Sequence, residues 1–390
     1  MQTSAMAQLK NCSDWPDEAL VRDAVTHLTP YQPGMPVSEV KRKYGLTEVI
    51  KLASNENALG PSPVALRALA EAAGQLHMYP DGSSYDLRHG LAKLLGVHMD
   101  QVIVGNGSDE LIKLIAEVFL NPGDEVISWQ PGFTQYGWAA HIMGANHFSL
   151  PMRDFQYGLA DLQQVLSPAT RLVCLASPNN PTGTILTRSQ LEQLLEMLPA
   201  QALLILDEAY GEFVDRPDYP DGLDYVKAGH RILLLRTFSK VYGLAGLRIG
   251  YGIGSPAAID YLQRVRNPFN ANSLAQAAAL AALSDKEHAQ ASRIAARQGR
   301  TYLTGGLTEM GVKVVPGEAN FLLVDTGYPA PEVFEGLLRQ GIIVRPCQGF
   351  GLPTYLRISV GTPGQNEMLL EALAQVLADC RRKYDYSGKE

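Results

Sequence analysis

The chain has 390 residues, room for two or three domains, and 46% of them are apolar against 19% charged, the reverse of the balance that keeps a chain disordered. Lys and Arg number 33 against 40 Asp and Glu, and the net charge of −7 leaves no overall basic footprint for nucleic acid or an anionic membrane surface. Four cysteines (Cys12, Cys174, Cys347, Cys380), no two closer than 33 residues, argue against a zinc ribbon or disulfide scaffold and fit a reducing compartment.

At the N-terminus, MQTSAMAQLKNCSDWPDEAL has no basic stretch leading into an apolar run, and Asp14, Asp17 and Glu18 interrupt it early. Residues 1–48 hold no strand-rich core and are expected to pack on a second unit further along. Between 100 and 255, β-type runs alternate with helical patterns. The runs are QVIVG (101–105), DEVISWQP (124–131), RLVCLASP (171–178), ALLILDEAY (202–210), RILLLRTFSK (231–240) and LRIGYGIG (247–254). Amphipathic stretches at 108–120 and 187–198 separate them. Several runs are continuously apolar, which predicts strands covered on both faces in a mostly parallel α/β sheet.

Past about 255 the texture changes to long helices (257–266, then 273–308), followed by KVVPGEANFLLVD (313–325) and a helix near 331–340. IIVRP (342–346), YLRISVG (355–361) and a terminal helix (364–383) complete a smaller α/β unit. The expected division is an N-terminal segment 1–48, a large domain 49–260 and a small domain 261–390. The longest apolar helical run, at 271–283, falls short of a bilayer span and is broken by Asn272, Ser273 and Gln276. A soluble, cytoplasmic protein is expected, with no membrane or nucleic-acid partner.

Four strand ends carry chemistry. VIVGNGSDELIKL turns from strand to helix across Gly105-Asn106-Gly107-Ser108, where glycines admit an anion and the helix end attracts it. Alone, this motif reads equally as a tight turn or a phosphate cup. The third glycine of GxGxxG is absent, because position 110 is Glu, and no GxxxxGK[ST] occurs. In ALLILDEAY, Asp207 ends an apolar strand and points toward a ligand crevice, as a helix cap, a metal ligand or the partner of a cationic ring nitrogen. No cluster with metal-ligand spacing accompanies it.

In RILLLRTFSKVYGLAGLRIG, Lys240 follows a buried strand behind Thr237 and Ser239. Desolvated lysines favour their neutral, nucleophilic form, although a lysine whose head reaches solvent is the common alternative. Arg248 adds a cation beside hydroxyls, a combination suited to a phosphate dianion. ASPNNPTGT places Asn180 in a Pro-flanked turn, and WQPGFTQYGW offers aromatics that equally fill a core. Together these parts match what pyridoxal 5'-phosphate needs: a lysine, a carboxylate for the ring nitrogen, an aromatic face, donors to the phenolic oxygen and a phosphate cup.

The motifs SPNNPTG (177–183), DEAY (207–210), TFSKVYGLAGLRIG (237–250) and GNGSDE (105–110) resemble those of the class I/II, fold type I aminotransferases. LTPYQPG (28–34), LASNENALGPSP (52–63), MYPDG (78–82) and RPCQGFGLPTYLRISVG (345–361) narrow the resemblance to the histidinol-phosphate aminotransferases, from about residue 28 to the C-terminus. The resemblance implies a large domain with a mostly parallel seven-stranded sheet flanked by helices, and a smaller α/β domain. It makes Lys240 the lysine that bonds the cofactor and shuttles the proton, Asp207 the partner of the ring nitrogen, and Asn180 and Tyr210 the donors to the phenolic oxygen. Ser108, Asp109, Thr237, Ser239 and Arg248 would surround the phosphate, with Tyr79 arriving from the partner subunit of a homodimer.

Phe133 would stack on the ring where some relatives have tyrosine. Tyr31, Asn55, Arg345 and Arg357 would face the substrate. Ala58 stands where NENPLGPSP motifs have proline, with little expected consequence. The implied reaction moves an amino group between L-glutamate/2-oxoglutarate and L-histidinol phosphate/imidazole-acetol phosphate. An aromatic aminotransferase or a threonine-phosphate-type decarboxylase would share most of these residues. A dinucleotide oxidoreductase is disfavoured by the missing glycine, and a cofactor-binding regulator by the lack of a basic DNA-binding module.

Overall fold

A computed structural model describes residues 20–26, 28 and 34–386. Its strands, in chain order, are β1 (Ile50–Lys51), β2 (Val102–Gly105), β3 (Glu125–Gln130), β4 (Asn146–Pro151), β5 (Thr170–Ala176), β6 (Leu203–Asp207) and β7 (Ile232–Thr237). They continue with β8 (Gly250–Ile253), β9 (Lys313–Val315), β10 (Phe321–Asp325), β11 (Ile342–Ile343), β12 (Arg345–Pro346) and β13 (Tyr355–Ser359). Seven form one sheet in the order β2-β8-β7-β6-β5-β3-β4. β3 to β7 run parallel, and β8 lies antiparallel between β7 and β2.

Two apolar layers explain the continuous runs. Leu204 and Leu206 of β6 pack on one face with Val173, Leu175 and Leu234. Ile205 packs on the other with Leu172, Cys174, Leu233 and Leu235. Alternate side chains reach opposite faces of a strand, and here helices cover both. The edge strand β4 escapes the sequence reading because only Leu150 of NHFSLP is buried, so it has no apolar run.

The smaller unit is a four-stranded antiparallel sheet, β12-β13-β10-β9, joined by a parallel pair, β1 with β11. The helices Lys286–Glu309, Ala330–Arg339 and Pro363–Tyr386 contribute Leu303, Leu337 and Leu373 to its core, against Leu322, Ile358 and Leu356. The two cores exchange segments across the boundaries expected at 48/49 and 260/261. Ile50 and Leu52 pack in the second core. Ala275, Ala278, Ala279 and Ala282, from the helix Ser273–Ser284, pack in the first. That helix is the apolar run at 271–283, and its small buried face lets neighbouring helices approach closely.

The connections leaving the C-terminal ends of β2, β3, β5, β6 and β7 carry the motifs picked out above. Parallel sheets place ligands outside these ends, where successive loops diverge.

Candidate active site

One open pocket, with about 610 Å3 of space, lies at that edge of the sheet. Ser108, Asp109, Phe133, Asn180, Asp207, Tyr210, Thr237, Ser239, Lys240 and Arg248 all line it. Its floor at the β2 end is the start of the helix Ser108–Phe119, whose N-cap Gly107 makes no side-chain cap bond. The first N–H groups of a helix have no partner within it, so this end is an anion cup. A Cβ on Gly107 would stand 2.7 Å from Arg248 Nη2, and the residue's φ of +79° also favours glycine. Arg248 Nη2 donates to Asp109 Oδ2 at 3.2 Å, so the Asp109 carboxylate orients the arginine while its backbone joins the cup. Ser239 N donates to Thr237 Oγ1 at 3.1 Å, which sets the hydroxyl loop after β7. The uncapped helix end, the space kept clear by glycine and the cation beside hydroxyls together fit a phosphate group.

Asp207 ends β6 and is 4% exposed. Its Oδ1 accepts from Ala209 N at 2.9 Å and its Oδ2 from Tyr136 Oη at 3.2 Å. Burial pushes its carboxyl up to about 6, against these two bonds that pull it down. A cation seated on the pocket side of the carboxylate would relieve that burden, which is the chemistry a protonated ring nitrogen offers. Tyr136, three residues after Phe133 and in the first turn of the helix Gln135–Ile142, reads in the sequence only as one of the aromatics of WQPGFTQYGW. Its own hydroxyl is raised well above its ordinary value, by burial and by Asp207, and stays a permanent donor.

Lys240 Nζ donates to Ser54 O at 3.1 Å and lies 5.4 Å from the centre of the Tyr210 ring. Behind Asn180, Arg357 Nη1 donates to its Oδ1 at 2.5 Å. An arginine offers no acceptor, so the Asn180 oxygen must face Arg357 and its NH2 turns toward the pocket as a donor. Tyr210 is backed in a similar way, because Asn55 Nδ2 donates to its Oη at 3.0 Å.

Asn55, expected to face the substrate, does not line the pocket. It is 1% exposed, drawn inward by Ser359 and Asn320 of the smaller unit, and stands behind Tyr210. Arg357, also expected to face the substrate, is 7% exposed and does not line the pocket; it stands behind Asn180. Arg345 on β12 is its cross-strand Cα partner, outside the pocket wall. Tyr79 is 82% exposed and stacks on Phe269 at 4.7 Å between ring centres, away from this chain's own pocket. Tyr31 lies outside the described residues.

A carboxylate at one strand end, a lysine at the next and an open helix end in one pocket define an α/β enzyme shaped for a phosphate-bearing ring. A sequence profile of the family "Aminotransferase class I and II" matches residues 47–373. The chain is 48% identical to the histidinol-phosphate aminotransferase of Moorella thermoacetica, over 92% of this chain and 93% of that protein. It is also 48% identical to the enzyme of that name from an Anaeromyxobacter species, over 92% and 99% of the two. Among solved structures it resembles histidinol-phosphate aminotransferase from Sinorhizobium meliloti in complex with pyridoxal-5'-phosphate. That match has a TM-score of 0.81 at 28% identity and covers 91% of this chain and 98% of that one. A double mutant of Thermus thermophilus aspartate aminotransferase matches with a TM-score of 0.79 at 26% identity, covering 91% and 99%. The chain therefore belongs to the class I and II aminotransferase family. Its fold is the fold type I expected from the motifs, with the seven-stranded sheet and the smaller α/β unit in place.

Proposed function

We propose that this enzyme uses pyridoxal 5'-phosphate to transaminate L-histidinol phosphate with 2-oxoglutarate, giving imidazole-acetol phosphate and L-glutamate, a step of histidine biosynthesis. When bound, the cofactor supplies an aldehyde that captures the amine and a ring that accepts the electrons left on the substrate's α-carbon. Asp207, 4% exposed, would hold a proton on the ring nitrogen. Asn180 Nδ2 and Tyr210 Oη donate toward the phenolic oxygen, and Phe133 covers a face of the ring. Ser108, Asp109, Thr237, Ser239 and Arg248 hold the phosphate. Lys240 Nζ, released from Ser54 O, is the general base toward the α-carbon proton.

The observation that carries the choice of substrate is the register of β12 and β13, in which Arg345 is the direct cross-strand partner of Arg357. That register puts two guanidinium-bearing residues side by side on neighbouring strands, a pairing suited to a substrate anion. Arg357 suits the anionic end of either substrate, and Arg345 with Tyr31 would add contacts to that end in histidinol phosphate, whose phosphate is its anion. Arg357→Lys is expected to slow both half-reactions about thirtyfold, the loss of roughly 2 kcal/mol from a buried charged contact. Arg345→Ala is expected to penalise histidinol phosphate about tenfold more than glutamate, because only the former has a phosphate to lose. Single-turnover rates for each half-reaction check both outcomes, and equal small losses in the Arg345 variant would favour an aromatic aminotransferase instead. Gly107→Ala is expected to weaken cofactor affinity about tenfold or more, because the added methyl displaces Arg248 and strains a left-handed residue.

We further propose a homodimer in which Tyr79 reaches the partner's cofactor phosphate. Leu76 (60% exposed), Met78 (60%), Tyr79 (82%) and Phe269 (45%) support this as apolar side chains left uncovered on one chain. A cytoplasmic location remains part of this reading, as does a three-part division of the chain in which Ile50, Leu52 and the helix Ser273–Ser284 cross between the cores. Among the described residues, no helix is long and apolar enough to cross a membrane.

A further inference from the structure

Three consecutive residues after β1 each hold a different side chain of the site. Ala53 O accepts from Arg357 Nη2 at 2.6 Å, Ser54 O accepts from Lys240 Nζ at 3.1 Å, and Asn55 Nδ2 donates to Tyr210 Oη at 3.0 Å. Asn55 is fixed from behind by the smaller unit. Its backbone N donates to Ser359 Oγ at 2.8 Å, and Ser359 Oγ donates to its Oδ1 at 3.0 Å. Asn320 Nδ2 donates to its backbone O at 3.0 Å. The residue sits at φ +56°, a left-handed conformation that asparagine tolerates better than most side chains.

These bonds settle the direction of the last one. The Asn55 amide oxygen accepts from Ser359 Oγ, so its NH2 is the group that faces Tyr210. Tyr210 Oη is then an acceptor on its buried side, and its single proton is left for the pocket. We infer that Asn55 is a positioning residue rather than a substrate contact: it acts through Tyr210, forcing that hydroxyl to donate toward the cofactor's phenolic oxygen. The clamp crosses from the smaller unit to the large sheet, so it ties the donor's direction to the packing of the two units.

This inference rests on the cofactor reading above and adds a consequence that reading alone does not have. A donor on the phenolic oxygen stabilises its negative charge and lowers the proton affinity of the conjugated bound cofactor. Asn55→Asp keeps the shape, but its carboxylate accepts from Tyr210 and turns the Tyr210 proton away from the pocket. The acid–base midpoint of the cofactor's visible absorption band is expected to rise by about one pH unit, the scale of one lost charge-assisted hydrogen bond. Tyr210→Phe should give a similar rise, and adding Asn55→Asp to it should move the midpoint no further.

The experiment is a spectrophotometric pH titration of the wild-type holoenzyme, the two single variants and the double, alongside thermal melts of each. An unmoved midpoint in Asn55→Asp, with a raised KM for the amino donor, would return Asn55 to the substrate and overturn the inference. A shift that persists undiminished in the Tyr210→Phe background would also overturn it, since the effect would not run through Tyr210. If Asn55→Asp does not fold, Ser359→Ala replaces it. That variant frees the Asn55 amide, with a smaller rise expected, and no rise counts against the inference. If wild-type protein given pyridoxal 5'-phosphate shows no visible band at all, it is the cofactor reading that fails.

Discussion

Lys240→Ala is expected to abolish steady-state transamination, with a loss of more than about 10⁴-fold, the upper range of general acid–base catalysis. The side chain has two tasks that no neighbour can take over. In the proposed reaction it would bond the cofactor reversibly and carry a proton at the reacting carbon, and among the pocket's ten expected residues it is the only amine. The fold should survive, because Nζ spends its bond on Ser54 O in a loop rather than on any sheet or helix. Thermal melts of the variant should stay close to wild type, and small added amines should restore part of the proton transfer. Turnover within tenfold of wild type, with no added amine, would remove Lys240 from the chemistry.

Asp207→Asn is expected to have opposite effects on activity and on stability. Activity should fall by roughly 3–5 kcal/mol of barrier, because an amide cannot keep the ring nitrogen protonated as a buried carboxylate does. Stability of the cofactor-free protein should rise. Burial pushes the native carboxyl of Asp207 up to about 6 from an ordinary 3.8, so the folded state binds its proton more tightly than the unfolded chain. Stability from this group is therefore full below about pH 4, declines as pH rises to about 6, and stays low above that. Asparagine removes the decline and keeps the acceptor for Ala209 N. Two pKa units correspond to about 3 kcal/mol at most, so the variant should melt higher than wild type at pH 8 and level with it near pH 4. Saturating cofactor should reverse the order at pH 8, since only the carboxylate gains from a ring cation. Equal melting of both proteins at pH 8 without cofactor would mean that Asp207 is hydrated in solution.

How much of this is legible in the sequence depends on how local the signal is. Asp207 and Lys240 stand out because each follows a continuously apolar run, and a polar residue ending such a run has few places to point. The cup at Gly107-Ser108 shows itself by the strand–glycine–helix order. The roles of Tyr136 and Asn55 are not legible, because each is defined by one bond to a residue 71 or 155 positions away. Asn55 in particular reads as a substrate contact from its motif, yet the fold turns it inward onto Ser359, 304 positions along the chain. The edge strand β4 is hidden for the opposite reason: half-exposed to solvent, it needs no apolar pattern. The expected domain limits place 271–283 with the smaller unit, whereas its alanine face packs in the large core. A helix's apolar stripe says that it is covered, and not by which unit.

The choice of amino donor is tested most directly by kcat/KM for L-histidinol phosphate, L-phenylalanine and L-tyrosine, each with saturating 2-oxoglutarate. A site in which Arg345 adds contacts to a phosphate should prefer histidinol phosphate by about a hundredfold or more, because the α-carboxylate of an aromatic amino acid can engage Arg357 but brings no phosphate dianion for Arg345. Efficiencies for phenylalanine or tyrosine equal to or above that for histidinol phosphate would make this an aromatic aminotransferase instead.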